Sequence, residues 1–248
     1  MVQVEICVDS VAGAVAAERG GAQRVELCAD LFEGGITPSA GCIRVAREQC
    51  GLKLHVLIRP RGGDFLYTDA EFAVMREDLR VAKELGADGV VLGLLTAAGE
   101  IDASRTRELI ALARPLSVTF HRAFDVCRDP AAALETLVEL GVDRVLTSGQ
   151  EATCLEGLDS LAGLNRRAAD RIIIMAGGGL TPRNIRRVVA ATGVREVHLS
   201  ARSGVESRME FRNPRVPMGG ALRPPEFSWR GTDESQVRTV VESLREEA

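Results

Sequence analysis

The sequence predicts an α/β fold, a single-domain (β/α)8 barrel, from an internal repeat, an unbroken alternation of strands and helices, and the chain length. Four segments, 21–27, 86–92, 141–147 and 193–199, each show a glycine turn followed by a short apolar strand. Their central valines are separated by 65, 55 and 52 residues, and an interval of that length holds two β-α units. Eight such units in 248 residues are typical of a closed parallel barrel.

The remaining elements lie between these repeats. We predict strands at 2–7, 53–59, 116–121 and 171–176, and helices at 69–85, 102–113, 131–140, 182–191 and 233–246. Because no run of hairpin signals interrupts the alternation, the sheet should be parallel. An open doubly wound sheet is the alternative, but no Gly-x-Gly-x-x-Gly follows the first strand.

Helix starts can be placed from capping residues that precede proline. Asp129 stands before Pro130, and Thr37 stands before Pro38. Thr181 precedes another proline in the same way. Side-chain oxygens of Thr and Asp accept hydrogen bonds from the first free N–H groups of a helix, and proline is favoured at the first helical position. We therefore predict Asp129, Thr37 and Thr181 as N-caps.

No linker divides the chain, so residues 1–248 are expected to form one domain. The only long stretch without periodicity is 203–232, between the eighth strand and the last helix; it holds four prolines and the only tryptophan, Trp229. Loops of this length are usually functional or mobile. We interpret it as an oligomer contact or as a flap over one end of the barrel, and expect a homo-oligomer.

Composition excludes several classes of protein. A net charge of −4 gives no electrostatic basis for binding nucleic acid, and no apolar span is long enough to cross a membrane. The six cysteines include no Cys-x-x-Cys pair, which argues against a zinc ribbon or a thioredoxin-type site. These features together indicate a reduced, cytoplasmic protein.

Side-chain parity predicts which strand residues face the barrel interior. Alternate residues of a barrel strand face the helices and the interior, and the helix-facing set must be apolar. This rule places a group of polar and sulfur-containing side chains inside: Glu5, Cys7, Glu26, Cys28, His55, Arg59, Thr119, His121, His198 and Ser200. A purely structural core would use Val, Ile and Leu, because a buried polar group without a partner costs about 1–3 kcal/mol.

For individual residues, a structural explanation remains open. Glu5 and Glu26 could simply be buried carboxylates paired with Arg59 or with a histidine. His55 lies early in its strand and is interpreted as a hydrogen-bonded core residue. His121 stands at a strand end, where barrel proteins build their sites. The candidate catalytic residues are therefore His121, Glu26, Glu5 and Arg59, with His121 within hydrogen-bonding reach of a glutamate or of a shared ligand.

Loops at the same end of the barrel suggest anion binding. A run of three glycines follows the seventh strand, and turns after strands seven and eight often hold phosphate through backbone N–H groups. Several arginines and hydroxyl groups are predicted nearby. The candidate anion-binding residues are Arg61, Arg122, Ser148, Gly177, Gly178 and Ser200.

Six motifs, in order along essentially the whole chain, resemble those of the CutC family of copper homeostasis proteins. They are Glu5-Ile-Cys-Val-Asp-Ser10, Arg24-Val-Glu-Leu-Cys28, Glu33-Gly-Gly-Ile-Thr-Pro-Ser39, Ile58-Arg-Pro-Arg-Gly-Gly-Asp-Phe65, Val118-Thr-Phe-His-Arg-Ala-Phe-Asp125 and Arg144-Val-Leu-Thr-Ser-Gly149. The resemblance implies a single-domain TIM barrel that is cytoplasmic and usually homo-oligomeric. It also implies a role in copper tolerance and proposes Cu(I) ligands that match Cys7 and Cys28 here.

Two hypotheses of function follow from these observations. In the first, Cys7 and Cys28 on neighbouring strands bind Cu(I), a soft ion that prefers thiolates, in near-linear geometry. The pair could instead be two small buried hydrophobes or could oxidise to a disulfide. In the second hypothesis, the protein is an enzyme acting on a small anionic metabolite, phosphorylated or not, with the two carboxylates, His121 and the arginines carrying out the chemistry.

Overall fold

The computed structural model describes residues 2–213, 215–216 and 227–245. Eight parallel strands, β1 to β8, follow one another around a closed barrel, and β8 pairs with β1 to close it. This arrangement confirms the predicted (β/α)8 fold and the parallel sheet. The barrel strands are Gln3–Val8, Arg24–Leu27, Lys53–Leu57, Gly89–Leu92, Ser117–Phe120, Arg144–Thr147, Ile173–Gly177 and Glu196–Leu199.

A ring of α-helices surrounds the barrel. The helices α1 to α8 are Val11–Arg19, Ala40–Gln49, Asp69–Glu84, Ala103–Ala113, Pro130–Leu140, Leu158–Ala168, Ile185–Thr192 and Glu234–Arg245. Two short 3-10 helices, Leu31–Glu33 and Arg122–Val126, follow β2 and β5. Within the described ranges, no helix combines the length and the apolar character that crossing a bilayer would require.

The apolar core lies between the barrel and the helices, as parity predicts. Val4, Ile6, Val25 and Leu27 are fully buried on the outer face of the strands. They pack with the apolar sides of the helices in one continuous cluster. The alternating residues of the same strands therefore point into the barrel, where the polar groups are found.

Strand and helix ends differ from the predictions by a few residues. Strand β3 ends at Leu57 and β5 at Phe120, so that Arg59 and His121 lie in the loops that follow. Asp129 is the N-cap of α5, as predicted, and accepts hydrogen bonds from two backbone N–H groups. Thr37 is not a cap: its hydroxyl accepts from the Arg59 N–H, and Ser39 caps α2 instead.

The prediction of Thr181 as an N-cap is also wrong. The first residue of α7 is Ile185, and Asn184 occupies the cap position. A turn intervenes, in which the side chain of Asn184 accepts a hydrogen bond from the Thr181 N–H. The helix therefore starts three residues later than the proline suggests, because a turn closed by this hydrogen bond comes before it.

The stretch 203–232 is not without regular structure. Arg202–Glu206 (β9) and Ser228–Thr232 (β10) form an antiparallel two-stranded sheet. Strand β10 packs near α1, so the hairpin lies beside the outer ring of helices. The four prolines of this stretch lie outside the described residues.

Candidate functional site

A cavity of about 440 Å³ opens at the carboxyl ends of the strands, a volume within the range of small-molecule sites. Most of the predicted candidates contribute to its wall. They are Cys7, Glu26, Arg59, His121, Arg122, Gly178 and Ser200. Two further polar residues, His198 and Glu33, also line the cavity. The strand-end location predicted for the site is where the structure places this cavity.

Cys7 and Cys28 lie together in this part of the barrel. Their strands are adjacent, and the Cys28 N–H donates to the Val8 carbonyl, which brings the two sulfurs to 3.8 Å. Both are free thiols, since a disulfide bond would require about 2.05 Å. Cys7 lines the cavity, whereas Cys28 is fully buried behind it. With metal–thiolate bonds of about 2.3 Å, a linear arrangement would need a wider separation, so the near-linear geometry expected from sequence does not fit these positions.

Two more potential ligands stand beside Cys7. The sulfur of Cys7, a carboxylate oxygen of Glu26 and a ring nitrogen of His198 all lie within 4.8 Å of one another. His198 is on β8, which neighbours β1, and its Nε2 is 3.7 Å from Glu26 Oε2. Parity places His198 inside the barrel, but the candidate catalytic and metal-binding residues predicted from sequence do not include it. The pairing of His198 with Glu5 in register between β8 and β1 becomes visible only in the folded barrel.

Glu5 itself does not line the cavity, which corrects its assignment as a candidate catalytic residue there. Its side chain is fully buried and forms an ion pair with Arg24, which also pairs with Glu196. Arg144 Nε lies 3.1 Å from Glu196, so four charged side chains form one buried network. The partner of Glu5 is thus Arg24 and not the Arg59 considered from sequence. Burial opposes ionisation of Glu5, but Arg24 and His198 outweigh it and hold the Glu5 pKa well below its usual value.

His198 is positioned between two carboxylates. Its Nδ1 is 2.7 Å from Glu5 Oε1, and its Nε2 faces Glu26. Burial alone would lower the pKa of His198, but Glu26 and Glu5 raise it above the ordinary value. Burial raises the pKa of Glu26, although His198 acts in the opposite direction. The arrangement can therefore hold a proton on His198 or exchange it with a neighbouring group.

The thiol of Cys7 is held in its protonated form. Its hydrogen-bonding contact with Cys28, its burial and the nearby Glu26 carboxylate all raise the pKa of Cys7. A thiolate at this position would therefore need a positive charge beside it. A bound cation would supply that charge, because metal ions bind the deprotonated form of cysteine.

Arg59 is a buried cation without a carboxylate partner in the described parts of the chain. Its guanidinium donates to the backbone carbonyls of Glu33, Gly35 and Gly63, at 2.7, 2.7 and 3.0 Å. Among the residues that the structure describes, its Nε–H has no acceptor in full hydrogen-bonding geometry, and the buried Tyr67 hydroxyl makes a weaker contact with the guanidinium. Backbone carbonyls satisfy hydrogen bonds but leave the full positive charge in place. The charge therefore acts on the cavity that Arg59 lines.

His121 lies in the cavity wall with Glu26 but is not hydrogen-bonded to it. Its Nδ1 accepts from the Ala123 N–H at 3.1 Å, and its Nε2 has no partner in the described part of the chain. The predicted direct hydrogen bond to Glu26 or Glu5 is therefore wrong, and only a ligand shared with Glu26 stays open. Burial and the Arg59 charge lower the pKa of His121 to about 3, so the ring is neutral.

The predicted anion-binding residues separate into two groups. Arg122, Gly178 and Ser200 line the cavity, and Arg122 Nη2 donates to Ser148 Oγ at 2.8 Å. Ser148 and Gly177 are not part of the lining. Arg61 belongs elsewhere, because its guanidinium pairs with carboxylates of the following segment, so its assignment to the anion site is not supported. Those carboxylates are Glu71 at 2.6 Å and Asp64 at 3.0 Å.

Each of the three histidines faces a glycine on the adjacent strand or loop. The pairs are His55 with Gly89, His121 with Gly93 and His198 with Gly177. A Cβ on Gly89 would lie 2.5 Å from His55 Nε2, and one on Gly93 would lie 2.4 Å from His121 Cε1. A Cβ on Gly177 would lie 3.1 Å from His198 Cβ. The imidazole rings of His55 and His121 therefore occupy space that a larger residue across the strand would take, whereas a Cβ on Gly177 would first meet Leu146 Cδ1, at 2.4 Å.

Comparison with known proteins identifies the family. The model of the CutC family matches residues 2–203. The chain belongs to the CutC family. It is 53% identical over 237 residues to copper homeostasis protein cutC homologs of Mus musculus and Homo sapiens, which covers 96% of this chain and 87% of each relative. The resemblance of the six sequence motifs is thus confirmed.

Solved structures support the same assignment. A crystal structure of a CutC protein from Streptococcus agalactiae has a TM-score of 0.77 at 36% identity, covering 81% of this chain and 99% of that chain. Phosphoribosylanthranilate isomerase from Thermotoga maritima has a TM-score of 0.59 at 15% identity, covering 99% and 100% of the two chains. At that identity the likeness to the isomerase concerns the barrel fold alone.

Proposed function

We propose that this CutC protein handles copper by binding Cu(I) at Cys7 and Cys28. The observation that carries the proposal is the 3.8 Å separation of the two sulfurs, with Cys7 open to the cavity. Soft thiolate ligands select Cu(I) over the hard divalent cations, which prefer oxygen. The printed names of the mammalian relatives, copper homeostasis protein cutC homologs, agree with this choice.

His198 is the third ligand that we assign to the copper site. The sulfurs are too close together for a linear pair, so the site as built favours a further donor on the cavity side. His198 and Glu26 are both within 4.8 Å of Cys7 by their ligand atoms, and a neutral imidazole suits copper better than a carboxylate does. Cys28 lies outside this group, so Cys28 and His198 must approach each other to bind one ion together with Cys7. Copper binding would then require the loss of protons from the thiols and from His198.

A thiolate site of this kind needs a reducing compartment, which is why we place the protein in the cytoplasm. Two thiols 3.8 Å apart on neighbouring strands are close enough to oxidise after a small movement. Cytosolic thioredoxin and glutathione keep such pairs reduced. Cys7 and Cys28 are both reduced in the structure, and each would bind copper as the thiolate after losing its proton.

Anaerobic Cu(I) titration against a chromophoric competitor tests the proposal. Replacement of Cys7 or Cys28 with serine should weaken Cu(I) binding at least about 10-fold, because a hard hydroxyl replaces a soft thiolate. His198→Gln should give a smaller loss. Cys50→Ser is the matched control, since Cys50 is a buried cysteine whose sulfur contacts the Ala14 carbonyl away from the cavity. Unchanged Cu(I) affinity in both Cys7→Ser and Cys28→Ser would contradict the proposal that these cysteines bind copper.

A second candidate function is catalysis on a small anionic metabolite. The observation that favours it is the buried Arg59 charge, which faces the cavity and has no carboxylate partner in the described ranges. Glu26 and His198 stand in the same cavity as a proton-exchanging pair. Cu(I) binding by Cys7 and Cys28 does not need Arg59 or His121, so variants of these residues separate the two functions.

We further propose a homo-oligomer that uses the surface around the β9–β10 hairpin. Met209, Phe211 and Trp229 are large apolar side chains exposed on or beside this hairpin. Exposed apolar patches of this kind often mark contacts between chains. Light scattering at micromolar concentration should give a mass above that of one chain, and the double variant Phe211→Ser with Trp229→Ser should reduce it. A monomeric wild-type mass would contradict the proposal.

A further inference from the structure

The cavity wall formed by Arg59 and His121 contains donors whose acceptors are missing. Arg59 Nε and His121 Nε2 are both buried, and neither has a hydrogen-bond partner among the residues that the structure describes. Each belongs to a side chain that is more than nine-tenths buried and lines the cavity. Buried polar groups are almost always satisfied, so two orphans in one cavity require an explanation.

The tautomer of His121 makes its free nitrogen a donor. Because Nδ1 accepts from the Ala123 N–H, the proton of a neutral ring must be on Nε2. The Arg59 charge and burial keep the ring neutral. Both unpartnered atoms are therefore N–H groups, and what they lack is an acceptor.

The charge of Arg59 narrows the nature of that acceptor. The guanidinium is stabilised by three backbone carbonyls but by no carboxylate within 4.0 Å among the residues that the structure describes. A buried positive charge without a counterion is costly. An anion with oxygen acceptors would compensate the charge and accept hydrogen bonds from both N–H groups. Because Arg59 contributes one uncompensated positive charge, we expect the anion to carry one negative charge.

Phe65 covers this pair of donors. The Phe65 ring centroid is 5.0 Å from that of His121 and 5.2 Å from the central carbon of the Arg59 guanidinium. The ring shields the two nitrogens from water and itself borders the cavity. Binding of a ligand to these donors therefore requires the Phe65 ring to move aside.

We propose that this wall binds the carboxylate of a small organic acid, with Arg59 supplying the charge and its Nε–H, and His121 a second hydrogen bond through Nε2–H. A carboxylate carries a single negative charge at neutral pH, whereas a phosphate carries a second charge that Arg59 alone does not compensate. The rest of the ligand extends into the cavity towards Glu26, His198 and Cys7. The proposal rests on the second candidate function, whose ligand class it names, and is independent of copper binding, because neither Arg59 nor His121 offers a ligand to the thiol pair.

Ligand-observed NMR and calorimetry with acetate, glycolate and pyruvate test the proposal, with inorganic phosphate as the tetrahedral comparison. Wild-type protein should bind at least one of the carboxylates below about 10 mM. Arg59→Met should abolish this binding. Since Arg59 also donates hydrogen bonds to three loop carbonyls, that variant can lose its fold. Arg59→Lys and His121→Phe are therefore the variants that test the proposal. Each should weaken binding about 10-fold or more, as expected for a lost hydrogen bond to a charged group.

Arg61→Lys is the matched control. Arg61 stands two residues away in the same loop, but its guanidinium is paired with Glu71 and Asp64 outside the cavity, so carboxylate affinity should stay at the wild-type value. Equal affinity in wild type, Arg59→Lys and His121→Phe would overturn the proposal. It would also be overturned if phosphate bound and the carboxylates did not, or if none of the probes bound. Cu(I) titration of the same variants should be unchanged, which separates this result from the copper proposal.

Discussion

Replacement of Arg24 with methionine should lower the free energy of unfolding by about 3–5 kcal/mol, because it leaves two buried carboxylates without their shared cation. Arg24 pairs with both Glu5 and Glu196 inside the barrel. Methionine fills a similar volume, so the loss would come mainly from charge and not from a cavity. Urea denaturation followed by circular dichroism measures the change.

Arg171→Met provides the control for this experiment. Arg171 also pairs closely with a carboxylate, Glu135, at 2.8 Å, but this pair lies on the protein surface. Surface ion pairs are screened by water and contribute little. A loss for Arg24→Met no larger than that for Arg171→Met would contradict the importance of the buried network.

Acidification should destabilise the fold beginning near pH 6.5, above the range where ordinary carboxylates titrate. Burial lowers the pKa of His55 to about 4 and, together with Arg59, that of His121 to about 3, from an ordinary value of 6.5. Between pH 6.5 and about 4 the unfolded chain binds protons that the folded chain does not. The free energy of unfolding therefore falls with pH, by up to about 1.4 kcal/mol per pH unit for each histidine.

Three other groups contribute, and Glu26 acts against this decline, because its raised pKa lets the folded chain bind a proton at a higher pH than the unfolded chain does. The raised pKa of His198 gives stability that is present below pH 6.5 and lost as pH rises through its folded-state value. The lowered pKa of Glu5 gives stability that is present above the ordinary carboxylate range and is lost in stronger acid. Denaturation midpoints at pH 7, 6 and 5 should therefore decline for wild type, and less steeply for His121→Phe. A wild-type midpoint that does not change over this range would show that neither buried histidine resists protonation.

The barrel was predictable from sequence because its main signals are local. The glycine turn before Val25, Val90 and Val145 repeats at the spacing of two β-α units, and alternation assigns each strand residue to a face. Parity therefore identified Cys7 and Glu26 as interior residues without any knowledge of the neighbouring strands. The face of the sheet towards which a side chain points is determined within its own strand.

The depth of each interior residue could not be predicted in this way. Glu5 and Glu26 share a parity, yet Glu5 is buried in an ion-pair network and Glu26 lines the cavity. His121 was expected beside a glutamate, but its Nδ1 accepts from Ala123 instead. Depth depends on the stagger between strands around the closed barrel, which only the assembled sheet determines.

The partner of a buried charge also escaped prediction. Arg24 reaches Glu196 from the opposite end of the sequence, a pairing that exists only because β8 closes on β1. The β9–β10 hairpin was missed for a different reason. Its strands are partly exposed and carry residues such as Ser203, Gly204 and Gly231, so they lack the alternation of apolar and polar positions that would predict a strand.

The contact between each histidine and a glycine across the strand couples the evolution of the two positions. A change from Gly93 to alanine should be tolerated only with a smaller residue in place of His121, and the same epistasis should link Gly89 with His55. A mutational library that varies only the histidines would therefore leave the complementary half of each pair fixed. New chemistry in this barrel would be reached most readily by changing both members of a pair together.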